Sequence, residues 1–324
     1  MFVTLIVIIL VIVAFVGFLD FNDHMFQQKT GHITIPPSQG NSKHPLTYLP
    51  PTGAIYASGN AIYKYNYTSL KYGAFGPDLW NLEKAQGSTL MNIGDNGQLT
   101  VNSSFKNVIS EVYTILGYPE IGYGYNLEDE MFGNAQSSSL IFPMNYHKFS
   151  NLNFSSDSNY TFEKLQPSNI PIDFSYDLWL EQNPTPSNQP TNNDLEVMIW
   201  MYSQDNHPIG NQIGQYNITI SINGHKMLST WNVFAGRANP WETVSFVLNT
   251  KYSSSSSNIT LNLSKFINKA GEDSHLNLST YTMMGIEIGN EFGNENLANN
   301  VSDWSVSYYG FSIGTTDVIL IKNR

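Results

Sequence analysis

The sequence predicts an all-β protein: a two-sheet antiparallel sandwich or jelly roll carrying one short helix. Three observations lead there. From about residue 56 onward apolar residues recur with a period of two rather than 3.6. The alternating runs are short and closely spaced, with Gly, Pro and Asn clusters between them. Charged residues make up only 13% of the 324 residues, about half the usual share of roughly 25%. Tyr (19), Phe (18) and Trp (6) are too plentiful for a disordered chain.

The elements follow in chain order. Residues 1–19 contain an almost unbroken apolar run, FVTLIVIILVIVAFVGFL, read as a signal peptide or membrane anchor because it is apolar on every face. Asp20 and Asp23 follow it, which favours an external C-terminus. Residues 20–55 read as a stalk, with Pro36, Pro37, Ser38, Gly40, Pro45, Pro50 and Pro51 spaced through polar sequence. Residues 56–324 form the β domain. Its clearest strands are PIDFSYDLWL (171–180), DLEVMIWMYS (194–203), YNITISING (216–224), TVSFVL (243–248) and YTMMGIEIG (281–289). The first two form a hairpin around the Pro/Asn-rich loop 183–193, and NGH (223–225) is a tight turn. The serine run 253–257 reads as a loop tip, and SKFINKA (264–270) as the helix, capped by Asn262 or Ser264.

Composition removes several function classes. A net charge of −11 argues against a nucleic-acid partner, which calls for a basic face. With no cysteine there is no disulfide scaffold, Cys-ligated zinc, iron–sulfur cluster or thiol chemistry. Asn-x-Ser/Thr sequons at Asn66, Asn102, Asn153, Asn159, Asn217, Asn258, Asn262, Asn277 and Asn300 fit an exported glycoprotein, either secreted or tethered through its N-terminal segment. The chain is expected to act as a monomer.

Chemistry is sought among the carboxylates, because hydrolysis of a glycosidic bond needs two of them flanking it. Strict alternation puts Glu196, Met198, Trp200 and Tyr202 on one face, while Val197, Ile199 and Met201 point into a core. In the hairpin Asp177 falls opposite Met198, diagonal to Glu196, and shares that face with Ser175 and Trp179. Two acids so placed perturb each other's ionisation. A second group, Glu287, Gly289 and Glu291, alternates within GIEIGNEFG (285–293), its glycines permitting close approach of a ligand. Alternation alone does not choose between Glu287 and Glu291. The adjacent acids Glu128, Asp129 and Glu130 read as a solvated turn.

These pieces carry a resemblance. DLEVMIWMY (194–202) followed by HPIG (207–210) is similar to the nucleophile strand of glycoside hydrolase family 12. DLW (78–80), GYPEIGYG (117–124), FSYDLWL (174–180), WNVFAG (231–236) and GNEFG (289–293) fall in that family's order, from about residue 73 to the C-terminus. The resemblance implies a β-jelly roll with a long substrate cleft on its concave face. It implies retaining, endo-acting hydrolysis of β-1,4-glucan with no cofactor and no metal. It assigns the nucleophile to Glu196, the acid/base to Glu291, a third acid to Asp177 and sugar stacking to Trp80. Asp78, Met198, Trp200 and Glu287 complete the expected substrate-binding surface. Xyloglucanase, mixed-linkage glucanase, xylanase and a non-catalytic carbohydrate-binding surface domain are the alternatives on the same fold. The chain departs from the family at Asp78, where Asn is common, and at Asn81, where Gly is common. It departs again at Glu287, where Gln is usual, and in having Phe292 rather than Pro after Glu291.

Overall fold

The computed structural model describes residues 70, 73–125, 142–183, 191–238, 240–313 and 316–323, with the backbone of short strands at Leu46–Tyr48, Ile55–Tyr56, Thr68–Ser69 and Met131–Phe132. The leader, most of the stalk, Asn66 and the acidic triplet 128–130 lie outside the described residues. Among those described, no helix is long and apolar enough to cross a membrane. Leu46–Tyr48 and Ile55–Tyr56 both pair with the strand Leu82–Ile93, so strand pairing starts ahead of residue 56.

The longer strands are β1 (Ala74–Gly76), β2 (Leu82–Ile93), β3 (Leu99–Ser110), β4 (Glu120–Tyr125), β5 (Phe154–Gln166), β6 (Ile172–Glu181) and β7 (Leu195–Gln204). They continue as β8 (Asn211–Ile222), β9 (His225–Arg237), β10 (Glu242–Leu248), β11 (Ser256–Asn262), β12 (Gly285–Gly289), β13 (Asn299–Ile313) and β14 (Thr316–Lys322). One layer has the order β1-β4-β12-β6-β7-β10-β9-β8. The other runs β2-β3-β13-β5-β11, with β14 beside the far end of β13. The layers are joined where Ser221 and Ile222 of β8 pair with Thr260 and Ile259 of β11. This is the β-jelly roll.

Alternation builds the interior. Phe174, Tyr176, Leu178 and Leu180 of β6 and Val197, Ile199 and Met201 of β7 face the second layer and belong to one continuous core. Tyr160 of β5 stacks on Phe174 with ring centroids 4.2 Å apart, and Trp304 of β13 meets the same ring edge-on at 5.2 Å. Tyr176 Oη, caught between the layers, lies 2.9 Å from Ser156 Oγ.

The hairpin of β6 and β7 forms in the expected register, with Asp177 opposite Met198. At the β8–β9 turn Asn223 and Gly224 adopt φ of 51° and 79°, the left-handed pair that a two-residue hairpin needs. Three expectations are corrected. The β7–β10 pair is parallel, which the sequence conceals because β8 and β9 intervene. Of the serine run, Ser256 and Ser257 belong to β11 rather than to a loop tip. The 281–289 strand is interrupted, Thr282–Met283 pairing separately from β12, because Met284 N–H turns to donate to the Trp179 carbonyl.

Among the described residues two α-helices are present rather than one: α1 (Tyr146–Asn151) and α2 (Leu263–Asp273). Asn262 caps α2 by accepting from Lys265 N–H at 3.2 Å, while Ser264 instead donates to the Phe149 carbonyl at 2.9 Å. Leu263, Phe266, Ile267 and Ala270 repeat at helical spacing and are buried. Phe266 stands edge-on to Trp231 (4.9 Å), Phe246 (5.2 Å) and Tyr216 (5.7 Å), pinning α2 to β8, β9 and β10. Phe266→Ala is therefore expected to cost about 3–5 kcal/mol. A urea-unfolding midpoint unchanged from wild type would contradict this packing.

Candidate active site

On the face of β6 opposite the core stand Asp173, Ser175, Asp177 and Trp179. Glu196, Met198 and Trp200 of β7 and Glu287 of β12 stand beside them. Register sets the rows: Gly122, Glu287, Asp177, Met198 and Ser245 follow one another across five strands. The acids in this surface are largely stripped of water; Asp173 is 0% exposed, Glu287 5%, Asp177 8% and Glu196 8%.

Glu196 is held by two donors on one oxygen. Trp241 Nε1 donates to Oε2 at 2.9 Å and Thr243 Oγ1 at 2.7 Å. Thr243 stands opposite Glu196 in the parallel β7–β10 pair, and Trp241 sits just before it, edge-on to Trp179 at 5.4 Å. Burial raises the Glu196 carboxyl above its ordinary value, and the bonds from Trp241, Thr243 and Asp177 pull it back. Asp177 is pushed well up, first by burial and then by Glu196 and Glu120. A carboxylate has no proton to donate, so the contact between these two acids needs one proton, and the donors Trp241 and Thr243 on Glu196 favour its resting on Asp177.

Glu291 lies just beyond β12, on a segment fixed from several sides. Phe292 makes isolated bridges to Gly117 and Ile172 and stacks on Phe105 at 6.1 Å, inside a smaller core with Leu79, Leu82 and Leu116. Asn290 donates to the carbonyls of Asp173 (2.7 Å) and Glu291 (2.8 Å) and accepts from Ser302 at 2.8 Å. Gly293 has φ of 87°, the left-handed region that favours glycine. At Gly289 the close neighbour is protein, not ligand: a Cβ there would sit 2.6 Å from the Pro119 carbonyl oxygen.

The Glu291 side chain, partly exposed, reaches the buried carboxyl of Asp173. Burial, then Asp173, then Glu196 and Asp177 hold Glu291 well above its ordinary value. Asp173 is pushed by burial from 3.8 to about 7, against hydrogen bonds that lower it. Ser175 Oγ donates to its Oδ1 at 2.8 Å and Asn206 Nδ2 to its Oδ2 at 3.0 Å. Glu287 is raised in the same way, by burial and then by Glu120, Asp177 and Asp78, and it shares a side-chain contact with Glu120. The alternation that placed Glu287 and Glu291 together thus divides them: Glu287 pairs with Glu120, Glu291 with Asp173.

Trp80 stands edge-on to Tyr113 at 5.7 Å. Asn81 fixes the segment carrying that tyrosine: its Oδ1 accepts from Val112 N–H (2.8 Å) and Tyr113 N–H (3.1 Å), and its Nδ2 donates to the Tyr113 carbonyl (2.6 Å) and to that of Ile115. Tyr113 Oη reaches the Ala238 carbonyl at 3.1 Å, and the Glu196 charge acts on its phenol. Asp78 has φ of 31°, and its carbonyl accepts from Tyr118 N–H at 2.7 Å. Met198 is buried beside Asp177, and Trp200 is buried at 1% exposure, deeper than the substrate-facing position expected of it. Among the described residues no group of His, Asp and Glu is spaced to hold a metal ion.

The sequence profile described as glycosyl hydrolase family 12 matches residues 74–308. The chain belongs to this family. It is a glycosidase. Solved structures of the same fold include a family 12 xyloglucanase from Bacillus licheniformis, at 16% identity and TM-score 0.57, with 84% of this chain and 100% of that one covered. A metagenome-derived family 12 endoglucanase matches at 17% identity and TM-score 0.57, covering 84% and 99%. An endo-1,4-β-glucanase, CelB2, matches at 16% and 0.56, covering 78% and 97%. No curated protein sequence matches the chain.

Within this family 12 chain, sequence reading omits Asp173, Glu120, Trp241, Thr243 and Tyr113 from the site. Asp173 was within reach of the alternation argument, two residues before Ser175. Trp241 and Thr243 were not, since only the parallel pairing brings them to Glu196.

The raised acids fix the sign of the pH dependence of stability. Unfolded, they titrate near 3.8 for Asp and 4.5 for Glu. A raised folded value means the fold binds more protons, so its contribution is complete below those values and is lost as pH climbs through the folded ones, about 7 for Asp173. The urea midpoint should therefore fall as pH rises from about 4 to about 8. Glu287→Gln, which removes one of these titrations, should flatten the fall. A midpoint rising over that window would refute this account.

Proposed function

We propose that the protein is an endo-acting retaining hydrolase of β-1,4-glucan, with Glu196 as nucleophile and Glu291 as acid/base. The observation that carries the proposal is the unequal treatment of the two glutamates. Glu196 accepts hydrogen bonds from Trp241 and Thr243, which favour its carboxylate. Glu291 is faced by acids, which favour its protonated form. Environments that separate two carboxyl groups in this direction prepare one as nucleophile and the other as acid.

In the first step Glu196 attacks the anomeric carbon as the glycosidic bond breaks, and the Glu291 proton passes to the departing oxygen. Glu291, now a carboxylate, takes a proton from the water that attacks the glycosyl-enzyme and releases Glu196. Asp177, protonated beside Glu196, disperses its charge between turnovers. Trp80 offers a ring for sugar stacking, with Asp78, Met198 and Glu287 along the same surface and Trp200 supporting it from beneath. Xyloglucan is the closest alternative substrate, since the matched structures bear both xyloglucanase and endoglucanase names. The apolar run of residues 1–19 supports a secreted enzyme or one tethered to the outer face of the membrane.

Proton NMR of early products should show the β-anomer first; initial α-anomer would sink the retaining assignment. Glu196→Gln should abolish hydrolysis of carboxymethylcellulose, xyloglucan and xylan alike. Glu291→Ala should lose about 10²–10⁴-fold on polymer. It should still form the glycosyl-enzyme from an activated aryl cellobioside, with azide speeding release. Azide rescue of Glu287→Ala instead would reverse the two assignments.

A further inference from the structure

Asp173 has no part in the chemistry set out above, yet it is the most deeply buried acid of the face and reaches the acid/base itself. It sits on β6, a strand buried along its whole length, and its backbone N–H donates to the Glu291 carbonyl at 3.1 Å, so the two residues are tied through main chain as well as side chain. Both Asp173 oxygens accept from neutral donors, Ser175 Oγ and Asn206 Nδ2. Glu291 has no such donors among its influences; what faces it is acidic, Asp173 and Asp177 from β6 and Glu196 from β7. Tyr118, which also faces Asp173, commits its hydroxyl to the Ser175 carbonyl at 2.8 Å.

Two carboxyl groups can touch only through a proton. Donors that stabilise the Asp173 carboxylate decide on which acid that proton rests. We propose that Asp173 is a positioning residue for Glu291: its carboxylate accepts a hydrogen bond from the Glu291 carboxyl, keeping the proton on the acid that must deliver it. The inference rests on Glu291 being the acid/base. When the Glu291 proton leaves with the departing alcohol, two carboxylates face each other. Glu291 is then a stronger base toward the incoming water, whose proton restores the pair as its oxygen bonds to the anomeric carbon.

The test is the pH profile of kcat/KM on carboxymethylcellulose for Asp173→Asn and Asn206→Ala, with thermal unfolding of each variant alongside. Asp173→Asn removes the facing charge and supplies an amide donor that favours ionised Glu291. The alkaline limb should move about one pH unit to acid, so that the loss grows about tenfold between the acid plateau and the alkaline side. Asn206→Ala takes a donor from Asp173, so the pair holds its proton to higher pH but shares it less favourably. Its limb should move to alkaline while the plateau falls. An equal loss at every pH with the limb in place would show a structural role only and overturn the proposal. Should Asp173→Asn fail to fold, an unmoved limb in Asn206→Ala does the same. Azide rescue of Glu291→Ala, run in parallel, reports separately on the acid/base assignment: with rescue present and both limbs fixed, only the role of Asp173 fails.

Discussion

Carboxyl groups stripped of water on one face of one sheet must share protons, and the rest of this structure is arranged around that constraint. Asp173, Asp177, Glu196 and Glu287 influence one another across this face, together with Glu120 and the partly exposed Glu291 just beyond it. Arg237 pairs with Glu242, and Lys269 with Glu272 and Asp273, away from Asp173, Asp177, Glu196, Glu287 and Glu291. Burying a charge without a counter-charge is costly, so the acids meet in couples: Asp177 with Glu196, Asp173 with Glu291, Glu120 with Glu287. In each couple one proton turns a repulsion into a hydrogen bond. The donors nearby then decide which member keeps it.

Such a face demands a rigid support. The side of β6 turned away from the acids packs Phe174, Tyr176, Leu178 and Leu180 into the core, which fixes the backbone that carries Asp173 and Asp177. Glu291 lies off the regular strands and needs its own anchorage, which Phe292 supplies by its bridges and its ring stacking. A large apolar residue thus fixes the backbone one residue past Glu291. Thr243 on β10 and Trp241 just before it complete the frame, reaching Glu196 across the parallel β7–β10 pair.

How much of this was legible in the sequence divides along physical lines. Period-two alternation is a local property, so β6 and β7, their register and the face shared by Asp177 and Glu196 could be read directly. Helix α2 could be read from the spacing of Leu263, Phe266, Ile267 and Ala270 and from its Asn262 cap. Contacts made by non-local pairing could not. The parallel approach of β10 to β7 leaves no signature in either strand, so Trp241 and Thr243 stayed hidden. Asn81 stood out as a departure from the family, but its clamp on Val112, Tyr113 and Ile115 depends on a segment thirty residues away folding back onto it. Glu287 and Glu291 looked equivalent because alternation orders side chains by face only. What separates them is the neighbour each meets across the sheet.

The same protons serve the fold and the chemistry. A proton on Glu291 relieves its repulsion with Asp173 in the resting protein, and it is also the one required by the departing oxygen in the proposed reaction. The protonated state that stabilises this corner of the jelly roll is therefore the state that is ready to react. After transfer the corner holds two facing carboxylates, a less stable arrangement that proton abstraction from water relieves. In the proposed reaction catalysis and stability therefore draw on a single ionisation, so a substitution that moves it shifts the pH dependence of both.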